Sequence, residues 1–279
     1  MDECDSAYLA DFLRHRSGLV LTSQKPDFAE NRLAPVMHRF GFKSLPSLIA
    51  ELREGHEALA QAVAEAVTVG DSSFFRDRKV FEEFAGRVLP GMIARRAEKK
   101  RLRIWCAAAA TGQEPYSIAM LLSDADLAAA GWSIDLIATD IDPRAIDRAA
   151  EGVYSAFEVQ RGLSPRRLAA YFSQEGESWR IGESLRRMVS FRVFNLLDSL
   201  GWLWQIDIVL CRNVLMYFDQ KTRAGVLDRI SDILAPDGAL IVGLNEIVPQ
   251  HAGFVAEGGA PGFYERPKPA APVRRLATG

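Results

Sequence analysis

Apolar positions along the chain change their period near residue 66 and again near residue 101, and these changes divide it into regions. In the first region they recur at helical spacing. Tyr8, Leu9, Phe12 and Leu13 form one stripe, ended by Gly18. A second helix is expected near 28–40, stopping at Gly41, with Pro35 inside it as a candidate kink. Leu48, Ile49, Leu52, Leu59 and Val63 predict a third helix over 47–66. Residues 1–66 therefore read as a small helical domain. Residues 67–100 read as a linker with a helix over 77–88.

From residue 101 to 266 apolar strand-like runs alternate with helical ones. LRIWCAA, WSIDLIATD, MVSFRVFNLL, WQIDIVLC and GALIVGLNE read as strands, and GFYERP as a last one. EPYSIAMLLSDADLAAAG reads as a helix closed by Gly131, PRAIDRAAEG as a short helix, and DQKTRAGVLDRISDIL as a long one, followed by a turn over 236–238. Alternation of this kind predicts an α/β domain with a mostly parallel sheet covered on both faces. Residues 171–194 break the rhythm with a short, polar, glycine-punctuated stretch, read as a small antiparallel insertion. The tail, 267–279, is Pro/Ala-rich and basic, as linkers and disordered ends are.

Composition narrows the function. The 279 residues carry 34 basic and 36 acidic side chains, so no overall basic footprint favours nucleic acid or membrane. Seven basic residues against one acid fall in 86–103, read as a solvated helix face running into a linker. The three cysteines show no paired spacing and the four histidines are scattered, so neither a disulfide framework nor a metal site is expected. Cys106 and Cys211 read as buried strand residues. No apolar run reaches membrane-spanning length and no signal peptide is evident, so a cytoplasmic protein is expected.

Ligands of open α/β sheets sit at the carboxyl ends of the strands. The first strand opens into Ala107–Ala110, Thr111, Gly112, Gln113 and Glu114, whose small residues permit close approach of backbone to ligand. A helix that merely packs closely would look the same. Asp140, ending the second strand, suits the two hydroxyls of a ribose. Asp142 suits a cap for the helix beginning at Pro143. Asn195 and Leu196 end the third strand and suit the edge and face of adenine, although Asn195 equally suits a turn. Arg212 and Asn213 follow the fourth, where a surface salt bridge is the alternative for the arginine. Tyr217 is either core or a hydroxyl facing the site. A pyrophosphate needs exposed N–H groups at a glycine-rich turn. Here that turn is alanine-rich and carries Glu114. The pattern tilts toward a phosphate-free, positively charged nucleoside, S-adenosyl-L-methionine.

Six segments in order, TVGDSSFFRD (68–77), RIWCAAAATGQEPYSIAM (103–120), IATDIDPRAIDRAAEGVYS (137–155), LSPRRLAAYF (163–172), FNLLD (194–198) and IDIVLCRNVLMYFD (206–219), resemble the CheR-type chemoreceptor methyltransferases, as does SGLVLTSQKPDFAENRL (17–33) near the start. The resemblance implies a Rossmann-like class I methyltransferase sheet with a helical N-terminal domain and a small antiparallel β-subdomain. It also implies methyl transfer from S-adenosyl-L-methionine to glutamate side chains of chemoreceptor cytoplasmic helices, leaving S-adenosyl-L-homocysteine. Matched position by position, it assigns Gly70, Ser72, Arg76, Glu114, Asp140, Asn195, Leu196, Arg212 and Asn213 to the cofactor site. It assigns Arg76 and Tyr217 to catalysis. Phe74 and Phe75 read as a shield against water or as core.

Position 70 is glycine where the family usually has asparagine, and 109–110 are alanine where small polar residues are common. Both departures predict a thinner grip on the cofactor. The second helix keeps Arg32, His38, Arg39 and Lys43, but 1–66 carries seven basic against ten acidic residues, so steering toward an acidic partner should be modest. The compact insertion predicts no tether to a receptor pentapeptide. The rival readings are a methyltransferase for another substrate and a non-catalytic module that binds S-adenosylmethionine or scaffolds receptors.

Overall fold

The computed structural model describes residues 2–20, 26–68, 70–249, 253–257 and 260–267. The tail beyond Pro267 and residues 21–25 of the N-terminal motif lie outside the described residues. Four helices open the chain: α1 (Glu3–Ser17), α2 (Pro26–Phe40), α3 (Leu45–Arg53) and α4 (Glu57–Ala66). Asp2 caps α1 by accepting from the Asp5 N–H, and Gly18 ends it in the left-handed conformation. Leu9, Leu13, Leu33, Leu48, Ile49, Leu59 and Val63 pack into a core of their own. The single helix expected over 47–66 is two, because Gly55 takes φ +81 and turns the chain between them. Pro35 stands inside α2 without ending it.

Next come α5 (Arg78–Glu83), a π-helical turn (Phe84–Val88) and α6 (Leu89–Arg95), so the helix expected to end at residue 88 continues for two turns more. The basic stretch is solvated in part, with Arg95, Lys99, Lys100 and Arg101 exposed, but its arginines are paired. Arg87 pairs with Glu83 and Glu257, Arg95 with Glu265, and Arg96 with Asp207 and Asp237. Arg101 and Arg103 pair with Asp135.

The sheet domain follows as β1 (Arg101–Ala107), α7 (Gln113–Asp124), β2 (Ser133–Asp140), α8 (Pro143–Glu151), β3 (Val153–Ser155), α9 (Ala156–Gln160), α10 (Pro165–Tyr171), β4 (Phe172–Glu175), β5 (Ser178–Ile181), α11 (Glu183–Met188), β6 (Val189–Val193), β7 (Ile206–Cys211), α12 (Gln220–Ile233), β8 (Leu234–Val242), β9 (Val255–Ala256) and β10 (Phe263–Glu265). Seven strands lie in the order β6-β2-β1-β7-β8-β10-β9. The strands from β6 to β8 are parallel, and β10 is antiparallel to both its neighbours. Every residue of β7 is buried, as befits a central strand covered on both faces. Two apolar clusters cover the two faces, one around Ile104, Ile118 and Leu136, the other around Trp105, Val209 and Leu227. Cys106 and Cys211 are buried in β1 and β7 as expected.

The structure corrects several boundaries. α7 stops at Asp124 rather than running to Gly131, and Asp126 beyond it is left-handed. The strand expected over MVSFRVFNLL is only Val189–Val193, and Met188 belongs to α11. The turn over 236–238 lies inside β8 as an irregularity in its pairing with β7. The small sheet is β3-β5-β4, so it recruits residues 153–155, while 189–193 within the expected insertion belong to the main sheet. β3 escaped notice because three residues carry no readable alternation.

Arg96 locks α6 to the far end of the sheet. Its Nε donates to Asp207 at 2.7 Å and its Nη1 to Asp237 at 2.7 Å, and Asp207 also accepts from the Arg103 N–H at 2.9 Å. Asp207 sits on a buried strand and is 8 % exposed. Arg96→Ala would strand that carboxylate, and loss of one partner of a buried pair costs about 3 kcal/mol or more. Urea unfolding of R96A should show a loss of this order, and a loss below about 1 kcal/mol would place the pair among weak surface bridges.

Candidate active site

β1 lies between β2 and β7, so the chain steps one way across the sheet and then the other, and a crevice opens at the carboxyl ends of β1 and β7. A cleft lies there, walled by the ends of β1, β2 and β7 and by the loop before α5. Gly70, Ser72, Arg76, Glu114, Asp140, Asn195, Leu196, Arg212, Asn213 and Tyr217 all line this cleft, from five separate segments.

The turn after β1 is built on strain. Ala108 and Ala110 take φ +54 and +48, and Gly112 takes φ +93. Left-handed backbone costs a residue with a Cβ roughly 1–2 kcal/mol, and alanine is the smallest that pays it. Gly112 is required by packing as well: a Cβ there would meet the Ala149 Cβ at 2.9 Å and the Tyr154 hydroxyl at 3.0 Å. The N–H groups of the turn are committed internally. Ala109 donates to the Thr139 carbonyl at 2.8 Å, Ala110 to Asp140 Oδ2 at 2.8 Å, and Gly112 to the Ala109 carbonyl at 3.0 Å. A pyrophosphate would need such donors free.

Asp140 is 9 % exposed. The carboxylate expected to face the crevice freely is held by two backbone donors, Ala110 to Oδ2 and Asp142 to Oδ1 at 3.0 Å. Each oxygen accepts one of these bonds and has capacity for a further donor. Asp142 caps α8 as expected, accepting from the Arg144 N–H at 2.9 Å.

Arg212 is not at the surface. It is 4 % exposed and ties together three pieces of the cleft. Its Nη1 donates to Glu114 Oε2 at 2.6 Å, and its Nη2 donates to Asp77 Oδ2 at 2.8 Å and to the Arg76 carbonyl at 2.9 Å. Its Nε has no partner among the described residues. The Arg76 guanidinium turns back to the Asp71 carbonyl at 2.8 Å, and Asp71 in turn pairs with Arg161 at 2.8 Å, which closes the 70–77 loop over the cleft. Phe74 and Phe75 are both core: Phe74 packs edge-on against Tyr154 and Phe172, and Phe75 against Phe81.

The Asn195 amide does what a turn-forming asparagine does. Its Oδ1 accepts from the Leu197 N–H at 3.0 Å, and its Nδ2 donates to the Arg16 carbonyl at 2.8 Å. That second bond brings in the N-terminal domain, which sequence reasoning left out of the site. Ser17 and Leu19 line the cleft, Leu19 forms an antiparallel bridge with Phe218, and Val20 donates to the Tyr217 carbonyl at 2.9 Å. A Cβ on Gly18 would meet the Phe218 ring at 2.9 Å, so only glycine fits both this contact and the left-handed end of α1. The sequence signal was Gly18 itself, read only as a helix stop.

Comparison with known proteins decides the family. A family model described as "CheR methyltransferase, SAM binding domain" matches residues 70–259, and one described as "CheR methyltransferase, all-alpha domain" matches 5–68. The chain belongs to the CheR methyltransferase family. Chemotaxis protein methyltransferase 1 of Pseudomonas aeruginosa is 36% identical over 264 residues, spanning 92% of this chain and 95% of that relative. The chemotaxis protein methyltransferase of Escherichia coli is 33% identical over 246 residues, spanning 85% and 82%. The cofactor of this CheR methyltransferase is S-adenosyl-L-methionine. The residues present fit it: the Asp140 and Glu114 carboxylates line the cleft, and the Ala109, Ala110 and Gly112 N–H groups of the turn after β1 are already engaged. No described helix is long and apolar enough to cross a membrane.

Burial raises the Asp140 carboxyl above its ordinary 3.8, against the pull of its backbone donors. Burial likewise raises Glu114 above 4.5, opposed by Arg212. A raised value means that the folded protein takes up a proton at a pH where an ordinary carboxyl stays ionised. Protonation removes both charge and acceptor capacity. Affinity for S-adenosylhomocysteine should therefore be level near neutrality and fall on acidification, beginning above the ordinary carboxyl range. Calorimetric titration down to about pH 4 checks this, and an unchanged affinity there would contradict it.

Proposed function

We propose that this CheR methyltransferase esterifies glutamate side chains on the cytoplasmic helices of chemoreceptor-type signalling proteins, releasing S-adenosylhomocysteine. The observation that carries the reading is the donor set of the cleft. Among the described residues no histidine lines it, and its two deepest carboxylates, Glu114 and Asp140, are already hydrogen-bonded. A glutamate acceptor needs no general base, because its carboxylate is ionised and nucleophilic at neutral pH.

S-adenosylmethionine, when bound, supplies an electrophilic methyl group on a sulfonium. Asp140 would accept from its ribose hydroxyls, and Glu114, with Arg212 fixing it in place, would face its positive charge. Asn195 and Leu196 would border the adenine, while Gly70, Ser72 and Asn213 would complete the wall. Arg76 and Tyr217 hold the incoming carboxylate. What these groups contribute is alignment of nucleophile, methyl and leaving sulfur, which can lower a barrier by up to roughly 7–11 kcal/mol.

Docking of the receptor falls to the N-terminal domain. Arg32, His38 and Arg39 lie along α2, where steering of an acidic helix is local. The small sheet offers strands of three or four residues with a turn at Gly176, which supports an enzyme that works without a pentapeptide tether.

Incubation with labelled S-adenosylmethionine and receptor cytoplasmic domains should yield methyl groups released as methanol by base. Acid-stable product would point to another substrate, and tight cofactor binding without turnover to a binding module. Asp140→Ala should weaken S-adenosylhomocysteine binding at least tenfold, by about 1.5–3 kcal/mol. Tyr217→Phe should lower kcat and leave cofactor affinity within about twofold. Calorimetry with a receptor C-terminal pentapeptide should detect no tight binding. Position 70 offers a gain: a Cβ there meets nothing within 4 Å. Gly70→Asn should fit without strain and tighten cofactor binding by about 0.5–1.5 kcal/mol, the worth of one hydrogen bond.

A further inference from the structure

The loop that follows β7 carries Arg212, Asn213 and Tyr217; its far end is closed by its own short turn, where the Tyr217 N–H donates to the Val214 carbonyl at 3.1 Å, but its start at Asn213 has no such local bond. Asn213 sits at φ +59, a left-handed conformation that asparagine visits more readily than most residues with a Cβ and that surrounding bonds hold here. The imposing group comes from the end of the neighbouring strand. After β8 the chain turns at Gly243, where the Glu246 N–H donates to the Gly243 carbonyl at 2.9 Å. The turn sends the Glu246 side chain back across the sheet. Its Oε2 accepts from the Asn213 N–H at 2.7 Å and the Gly243 N–H at 2.7 Å, and its Oε1 accepts from the Met216 N–H at 3.2 Å. Glu246 is 6 % exposed.

A buried carboxylate is costly unless it is hydrogen-bonded, and this one spends its capacity wholly on backbone. Two of its three donors belong to the loop that carries the site. Gly243 is part of the same device. A Cβ there would lie 2.7 Å from Glu246 Oε2 and 2.9 Å from Asn213 Nδ2, so any side chain would push the carboxylate off the loop.

We infer that Glu246 is a positioning residue, one that holds the 213–217 loop in its left-handed turn so that Asn213 and Tyr217 meet the cofactor cleft. It touches neither cofactor nor substrate and acts through those backbone donors. The inference rests on the reading of the cleft given above.

The test compares Glu246→Gln, which replaces one acceptor oxygen by an NH2 group, with Gly243→Ala, which keeps the carboxylate and displaces it. Val226→Ala, a buried change on α12 at a residue that does not line the cleft, controls for lost stability. S-adenosylhomocysteine affinity is measured by calorimetry on each folded protein, and amide hydrogen exchange at Asn213 and Met216 by NMR. Both loop variants should bind about tenfold more weakly or worse, with faster exchange at those two amides. V226A should keep wild-type affinity and exchange even where its denaturation midpoint falls as far. Undiminished binding by E246Q and G243A, or a parallel loss in V226A, overturns the inference. Failure of the wild-type protein to bind would instead overturn the reading of the cleft, and this role of Glu246 with it.

Discussion

The cleft depends on one buried guanidinium. Arg212 leaves the end of β7 and is met by a carboxylate from the first turn of α7, a carboxylate from the 70–77 loop and a carbonyl of that same loop. Removing one partner of a buried ion pair costs about 3–5 kcal/mol, because the other charge is left without compensation. That penalty makes the three segments interdependent. Glu114 is held by Arg212 and therefore cannot swing into solvent, and the loop bearing Ser72 and Arg76 cannot lift from the sheet without exposing the guanidinium's unmet bonds. The unpartnered Nε leaves this hub one donor short, and Arg212 lines the cleft.

Strain gathers around that hub. Among the described residues, Phe75, Asp77, Ala108, Ala110 and Asn213 all take positive φ within the segments that line or border the cleft. Four of the five are held by a specific bond. The Phe75 N–H reaches Ser117 Oγ at 2.9 Å, Asp77 reaches Arg212, Ala110 reaches Asp140, and Asn213 reaches Glu246. Backbone held this way presents its groups without reorganising when a ligand arrives, which is how alignment becomes available to catalysis.

The parts of this arrangement that follow from local sequence were legible in it. Strand ends could be read from runs such as IDIVLC, and a carboxylate at such an end, Asp140, announces itself. Asp142 followed from the proline after it. The bonds that span long stretches of chain were not legible, because no local period records them. Glu246 lies 33 residues beyond Asn213 and reads as the last residue of the strand GALIVGLNE, whereas β8 ends at Val242. Arg96 reads as part of a solvated helix face, since spacing says nothing about a partner 111 positions away. Asn195 was ambiguous between base edge and turn, and the turn bonds are present in the folded chain while its position still borders the cleft.

The two domains keep separate cores yet share one wall of the site, and the reason lies in backbone bookkeeping. Helix α1 must end with carbonyls lacking helical partners. The Gly18 turn satisfies one, at Arg14, and the Asn195 amide satisfies another, at Arg16. The residues just beyond the turn then pair with the 217–218 backbone. Each bond meets a need on both sides: a helix end that would be exposed, and a loop after β7 that would lack a neighbour. The seam falls at the carboxyl ends of the strands because that is where both kinds of unmet backbone group occur together. The N-terminal domain is therefore docked at the cleft by the same groups that shape it, and Ser17 and Leu19 become part of the wall as a consequence.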